Sequence, residues 1–420
     1  MTYRFWSSLF ALGAGFIVFQ SPAIWAEAPP LSVIAKQSLE SNIVRFPTGR
    51  SYLRAGSHQF GSLWTRDFCF SVKALLGLGE KQTVRDQLTF LIEHRRTRDN
   101  LIPRGVDSLN PSLRTFWSLV QNSFFKSPPP LNEKKFKCEY VGEHRTAAMD
   151  GNILVLKAAL DYVEATGDTK WWDQQAAAFL DVHRYYLKHF KDGLIQQIPF
   201  SDWQDSVKRK GATFYLNLLY LTTTTRLISK AARFADFPIS MSQLESNIYK
   251  NFYDSASGLF RAVALNNRNQ ISLDGNLLAH DLGFFKSYQD GYNHYLRLKN
   301  SQLWAESTTS FPGAVTFPDY PTSSVATFPR LVGLRHYHDR FYWSWLMAMA
   351  GKISYLYGDK GEGDRILNKL SELAVRDNAI EEIYEPQLSF KPVSTYFYKA
   401  ETPFSWGAAS VLEALNQKNK

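Results

Sequence analysis

The stretch SDWQDS, Ser201 to Ser206, sets two carboxylates, Asp202 and Asp205, around Trp203, with Arg209 close behind. Carboxylates in an aromatic-walled cleft are the groups that give and take protons there. The same residues also read as a helix start, with Asp202 as the cap and Asp205 accepting amide protons of the first turn. Four other segments carry groups able to work with them. LWTRDF puts Arg66 and Asp67 beside Trp64, a fork of donors and an acceptor suited to neighbouring hydroxyls. YHDRFYWSW gathers Tyr337, His338 and Trp343 ahead of a helix, and EEIYEPQLSFKP offers Glu381, Glu382 and Glu385, with Glu401 further on. PFSWGAA, with Trp406, opens the last helical stretch.

Helices must position these groups, because the chain is mostly helix by periodicity. DGNILVLKAALDYVEATGD spaces Ile153, Leu156, Leu160 and Val163 at helical intervals and stops at Gly167. WSWLMAMAGKISYLYGD repeats the pattern with Trp345, Met349, Ile353 and Leu356 before Gly358. Further helices are expected over 70–78, 87–95, 211–234, 364–374 and 404–415. Strand-like alternation is sparse, and the loops are long and rich in Pro, Asp, Trp and Tyr, where sites on a helical scaffold are built. No boundary divides residues 30–420, no internal repeat is evident, and the prolines of Ser127 to Pro130 read as a loop insertion. One all-α domain of about twelve helices is the simplest organisation.

Composition sets the outer limits. The 420 residues hold 15% aromatics, which suits a core of large helices and equally a cleft that stacks sugar rings. The net charge of +9 is scattered through mixed clusters such as EHRRTRD and NEKKFK, the pattern of solvated helix faces and not of a nucleic-acid surface. Residues 1–26 read as an export signal: a cation at Arg4, an apolar run from Phe5 to Phe19, and a small residue at Ala26. Cleavage there leaves a periplasmic or secreted chain without stable membrane insertion. Cys69 and Cys138 can pair in such a compartment, although DFCFS equally suits a buried thiol. No metal and no cofactor is assigned.

In their order along the chain, these segments resemble the six-hairpin, or (α/α)6-barrel, glycoside hydrolases: trehalase, neutral invertase, processing α-glucosidase and the glucosidase part of glycogen-debranching enzyme. The resemblance runs from about residue 55 to the C-terminus. The family's Trp-x-Arg-Asp motif, which lines the sugar subsite, matches Trp64, Arg66 and Asp67. Its general acid, an aspartate shortly before an arginine and a helix, matches Asp205. Its base, a glutamate in a Glu-x-Tyr-x-Pro-like segment, matches Glu382, Tyr384 and Pro386. Its last helix opens as Phe404, Ser405, Trp406, Ala408 and Ala409 do. Asp150 and Asn152 stand where the family's Asp-Gly-Asn begins a helix, as cleft residues or as a cap and turn. Relatives often carry Tyr-His-Asn-Gly and Trp-Pro, whereas Asp339, Arg340 and Ser344 stand here.

The resemblance implies an (α/α)6 toroid and an inverting glycosidase acting on an α-linked glucoside or related oligosaccharide. Such an enzyme holds an acid and a base roughly 6.5–9.5 Å apart across the bond and a water. Asp202 and Asp205 are too close in sequence for that, so Asp205 pairs with Glu382, while Glu381, Glu385 and Glu401 remain rivals for the base. Trp64, Trp203 and Trp343 are the candidates for stacking. Two other functions fit the same segments: a non-catalytic carbohydrate-binding protein on this fold, or a polysaccharide lyase in which Tyr337 or His338 abstracts a proton.

Overall fold

Six helices stand side by side in a closed ring: Thr65–Gly77, Asp150–Thr166, Phe214–Lys230, Leu273–Asp281, Ser344–Leu356 and Ser405–Lys418. Each packs on the next, and the last packs on the first. The chain returns between them through an outer layer of Lys81–Glu93, Thr169–Arg184, Met241–Phe252, Tyr288–Lys299 and Lys360–Asp377, while Leu31–Glu40 covers the last inner helix. This is an (α/α)6 toroid. The computed structural model describes residues 29–114, 116–117, 129–142, 144–264, 270–304 and 311–420. The expected export segment lies outside them, as do Ser127 and Pro128. No helix among the described residues is long and apolar enough to cross a membrane. Cys69 and Cys138 are unpaired, and Cys69 is the buried thiol that its apolar neighbours suggest.

The two layers differ because their surroundings differ. Outer helices alternate polar and apolar faces, and four of the five that return the chain start on side-chain caps, where Asp168, Ser240, Ser287 and Asp359 accept from first-turn amides. Inner helices are covered on both sides, so Asp150 to Val163 is buried without interruption. Five of them begin instead from an extended residue, Trp64, Thr213, Ser272, Trp343 or Phe404, with no side-chain cap. Their first-turn amides, the positive ends of the helix dipoles, gather at one mouth of the ring. The other end is plugged by ion pairs: the buried Lys157 with Asp161 at 2.7 Å, and the half-buried Lys352 with Asp281 and Glu413 at 2.5 Å each.

The sequence shows no repeat, yet the fold repeats one local device. Asn152, Asn217 and Asn276 occupy the first turns of successive inner helices, each clamping backbone from the neighbouring layer. Asn217 Oδ1 accepts from Ile195 N and its Nδ2 donates to Ile195 O. Asn276 does the same to Phe260 and also donates to Ser272 O. Asn152 accepts from Ile102 N and donates to the carbonyls of Asn100 and Val182. Removing such a side chain leaves several buried peptide groups without partners. Asn276→Ala is expected to lower stability by about 2–4 kcal/mol, measured by urea unfolding; a loss within a few tenths of a kcal/mol would show the clamp to be dispensable.

Asn276 also ends a buried polar relay. Its Oδ1 must accept, because its Nδ2 is spent on two carbonyls, so His294 Nε2–H donates to it at 3.1 Å. His294 Nδ1 then accepts from His280 Nε2–H at 2.9 Å, and His280 Nδ1 accepts from the Tyr357 hydroxyl. Burial opposes a charge on either ring; in addition, a proton on His294 Nδ1 would be set against His280 Nε2–H, and one on His280 Nδ1 would displace the Tyr357 donation. His294 is accordingly pushed down to about 3, and His280 well below its usual value. The unfolded histidines bind protons below roughly pH 6.5 while the folded ones do not. Stability is therefore expected to fall as pH drops from 6.5 towards 4, by up to about 1.4 kcal/mol per unit for each histidine. Replacement by His294→Gln should flatten this slope in pH-dependent unfolding, and an unchanged slope would remove the relay as its source.

Candidate active site

The open mouth of the ring holds a cavity of about 230 Å³. Trp64, Arg66, Asp67, Trp203, Asp205, Tyr337, Trp343, Glu382 and Trp406, drawn from five separate segments, all line it. Asp150, Asn152 and His338 do not: they stand behind the wall. Asp150 is fully buried and receives Arg66 Nε at 2.7 Å and the Tyr215 hydroxyl at 3.2 Å. Asn152 is the helix clamp described above. His338 lies parallel to Trp343, 5.7 Å between ring centres, with Nδ1 2.7 Å from Ser206 Oγ, and burial keeps it neutral.

The segment SDWQDS is not a helix start. The following helix begins only at Phe214, and Asp202 caps nothing in it. Asp202 is fully buried, its Oδ2 accepting from Arg209 at 2.6 Å and from Gln197 at 2.8 Å, while Oδ1 closes a turn onto Gln204 N. The local pattern suggested a cap because serine and aspartate favour caps; the buried Arg209 guanidinium, seven residues on, takes the carboxylate instead. Trp203 donates through Nε1 to Asp274, which also accepts from Gln204 and Ser272. Asp202 and Asp274 thus pin the turn on both sides, and Asp205 projects from it, about one third exposed. Arg66 Nη1 donates to Asp205 Oδ2 at 3.1 Å. The Arg66 fork therefore joins Asp150 to Asp205, and Asp67 stays free of it.

Glu382 faces the same cavity from the other half of the chain. Its backbone is held on both sides, as Ser344 N donates to its carbonyl and its own N donates to Glu401 O. Its Oε1 accepts from the Tyr337 hydroxyl at 2.5 Å, and Oε2 accepts from the Tyr398 hydroxyl and from Glu401 N. Burial pushes this carboxyl up to about 7 against the pull of those three donors. Asp67, in the first turn of its helix, is likewise raised to about 7, by burial and then by the nearby Glu382 charge. The rivals for the base have other work. Glu401 is buried, with its two oxygens accepting from His58 N and Phe60 N. Gly56 lies so close that a Cβ there would meet Glu401 Cγ at 2.1 Å. Glu385 caps a turn at Gln387, and Glu381 is buried away from the cavity, its carboxyl raised to about 8.

The floor is aromatic. Phe70 and Trp345 both stack on Trp406, at 4.4 and 4.3 Å, and Trp203 meets Trp345, Trp343 and Trp406 edge-on. Trp64 differs from the stacking platform expected of it, because the guanidiniums of Arg104 and Arg114 lie over its ring at 4.9 and 4.7 Å. Those two arginines, with His144, Phe200 and Tyr398, also line the cavity and carry no sequence signal. Phe200 adopts φ +63°, which a bulky residue rarely tolerates, and stacks on His144 at 3.9 Å. Among the described residues, Asp319, His336 and Asp339 lie close enough together to suggest a metal, but Arg340 and Arg335 already pair with the two carboxylates.

No family model and no curated protein matches the chain. Solved structures do. A glycosidase variant in complex with glucose superposes with a TM-score of 0.60 at 13% identity, over 93% of this chain and 97% of that one. A Klebsiella oxytoca rhamnosidase with rhamnose bound gives 0.59 at 13% identity, over 91% of this chain and 62% of that protein. A Streptococcus pneumoniae metal-independent α-mannosidase, in complex with α-1,6-mannobiose, gives 0.57 at 12% identity, over 93% of both chains. The chain has the fold of these glycosidases.

The Tyr398 hydroxyl stabilises the ionised form of Glu382, so Tyr398→Phe should move the titration of that carboxyl to higher pH, by about 1 unit. Carbon-13 NMR on glutamate-labelled protein reads this directly. A titration that stays in place or moves to lower pH would contradict the arrangement.

Proposed function

We propose that this protein is an exported glycoside hydrolase that cleaves an α-linked glucoside or related short oligosaccharide with inversion. The observation that carries the reading is the meeting of Asp205 and Glu382, from segments 177 positions apart in the chain, on one aromatic-floored cavity. The cavity's volume, small beside the roughly 300–1,000 Å³ of drug-sized sites, favours a short glycoside over a polymer. The neighbours' glycosidase activities and sugar ligands support the class of substrate.

In this reading Asp205 protonates the leaving oxygen. Hydroxyls of the bound sugar draw Arg66 Nη1 away from it, and the Asp150 contact keeps Arg66 in place while they do. Glu382 takes the proton of the attacking water on Oε1, which carries one hydrogen bond where Oε2 carries two. Its burial sets its proton affinity near neutral pH, where a general base works best. Asp67 is an acceptor for hydroxyls of the reacting sugar. Proton abstraction by Tyr337 or His338, as a lyase needs, has no support: Tyr337 donates to Glu382, and His338 is behind the wall.

Asp205→Asn should reduce turnover of a glycoside with a poor leaving group by about 10²–10⁴-fold and spare an activated aryl glycoside. Glu382→Gln should abolish both, and proton NMR of the wild-type reaction should show the inverted anomer forming first. Full activity of Asp205→Asn on the poor leaving group would refute the assignment.

A further inference from the structure

Arg104 is the unexplained group in the cavity. Its main chain is fixed, since its N donates to Glu139 O and its O accepts from Thr65 N, so the side chain has one region to occupy. The side chain is 13% exposed, and its guanidinium lies over Trp64. Nη1 is pressed against Gly142, where a Cβ would come within 2.0 Å of it. Among the described residues it donates no hydrogen bond, and its Nε is buried without a partner. The nearest carboxylate, Glu139, stands 3.7 Å from Nε and lies closer to Arg114, at 2.6 Å. A buried guanidinium with unused donors is costly to keep, and it persists where a ligand supplies the acceptors.

Charges around it point to the nature of that ligand. Three guanidiniums, Arg66, Arg104 and Arg114, line the cavity. Asp150 answers Arg66, and Glu139 answers Arg114. Asp205, the remaining carboxylate on this side, is bonded to Arg66. Arg104 has only a share of Glu139, at 3.7 Å, so one positive charge is left over, with the His144 ring on the same lining. A planar fork of donors matches a carboxylate, phosphate or sulfate two bonds at a time, which a lone sugar hydroxyl cannot do.

We propose that Arg104, flanked by Arg114 and His144, is an acid-recognising subsite, so that the glycoside bound here carries a carboxylate, phosphate or sulfate. This rests on the glycosidase reading of the cavity. The subsite adjoins Asp205, on the side of the scissile bond where the leaving group departs, which places the acidic group on the aglycone or on a sugar next to the bond.

Calorimetric titration of the full chain at low ionic strength tests it, with glucose, mannose and galactose each offered as the neutral methyl glycoside, the uronate, the 6-phosphate and the 6-sulfate. For at least one sugar an acidic form should bind ten-fold or more tightly than its neutral counterpart, and the arms tell carboxylate from phosphate and sulfate. Arg104→Gln should erase that advantage. So should Gly142→Ala, whose added methyl displaces the guanidinium without removing its charge, while Arg104→Lys should restore part of it. Equal affinity for neutral and acidic members in the wild type, no binding of any acidic member, or an advantage that survives both Arg104→Gln and Gly142→Ala would overturn the proposal. Hydrolysis of neutral glycosides without acid preference sinks the subsite and leaves the hydrolase standing; acid preference without turnover of any glycoside does the reverse.

Discussion

The Arg66 guanidinium ties the working end of the barrel together. It sits in the first turn of one inner helix, reaches the buried Asp150 at the head of the next, and through Asp150 meets Tyr215 on the third. Its remaining arm holds Asp205. Three inner helices and the loop that bears the candidate acid are thus fixed by one side chain and one buried carboxylate. Arg66 offsets part of the cost of burying that carboxylate, whose proton affinity burial still raises, and two carboxylates offset the burial of Arg66, so removing either partner strands a charge in the interior. Lysine at position 66 would keep the charge and lose the fork that spans both acceptors.

Asp202 and Asp274 extend the same logic around the ring. Each uses both carboxylate oxygens within the protein, and together they hold Trp203 and Gln204 from opposite sides. Asp67 makes no such commitment, and Glu382 retains capacity on Oε1. At the mouth, Asp202 and Asp274, with both oxygens bonded to protein donors, build the scaffold, while Asp67 and Glu382, with capacity left over, are raised to about 7 by burial and face the cavity.

Much of this was legible in the sequence, because the segments that meet at the mouth are aromatic-rich loops next to strong helices, and their order along the chain is distinctive. Glu382 could be named from its neighbours Tyr384 and Pro386, while its partner Tyr398 could not: in TYFYK it looks like any apolar strand residue, and only the hairpin that pairs Ser394 with Lys399 turns it back onto Glu382. Leu273–Asp281 escaped notice because it is only nine residues long and buries polar Asp274, Asn276 and His280 along with its leucines, which leaves no apolar period to read. Asp202 was misread for the opposite reason: a strong cap signal was overruled by Arg209, seven residues on, whose buried guanidinium claims the carboxylate. Arg104 and Arg114 resemble solvated surface cations until the sheet of 63–64, 105–107 and 137–139 folds them over Trp64.

The ring closes where Leu31–Glu40 and the Arg54–Ala55 backbone meet the start of the last inner helix. Asn42 donates to Pro403 O and Ser405 Oγ, Ser405 donates in turn to Arg54 O and Ala55 O, and Ser38 Oγ accepts from Ile380 N. These contacts join positions as far as 363 residues apart. A toroid differs in this from a stack of repeats, in which each unit gains most of its stability from its neighbour and assembly proceeds one unit at a time. Here the first and fifth inner helices keep an uncovered apolar flank until the sixth arrives between them. Local hairpins can form early, but the step that removes the last exposed seam waits on the longest loop closure in the molecule, which makes folding slow relative to helical proteins with only short-range contacts. The helix at Ser405–Lys418 is the keystone of the arch, and without it the arch is open, not shortened.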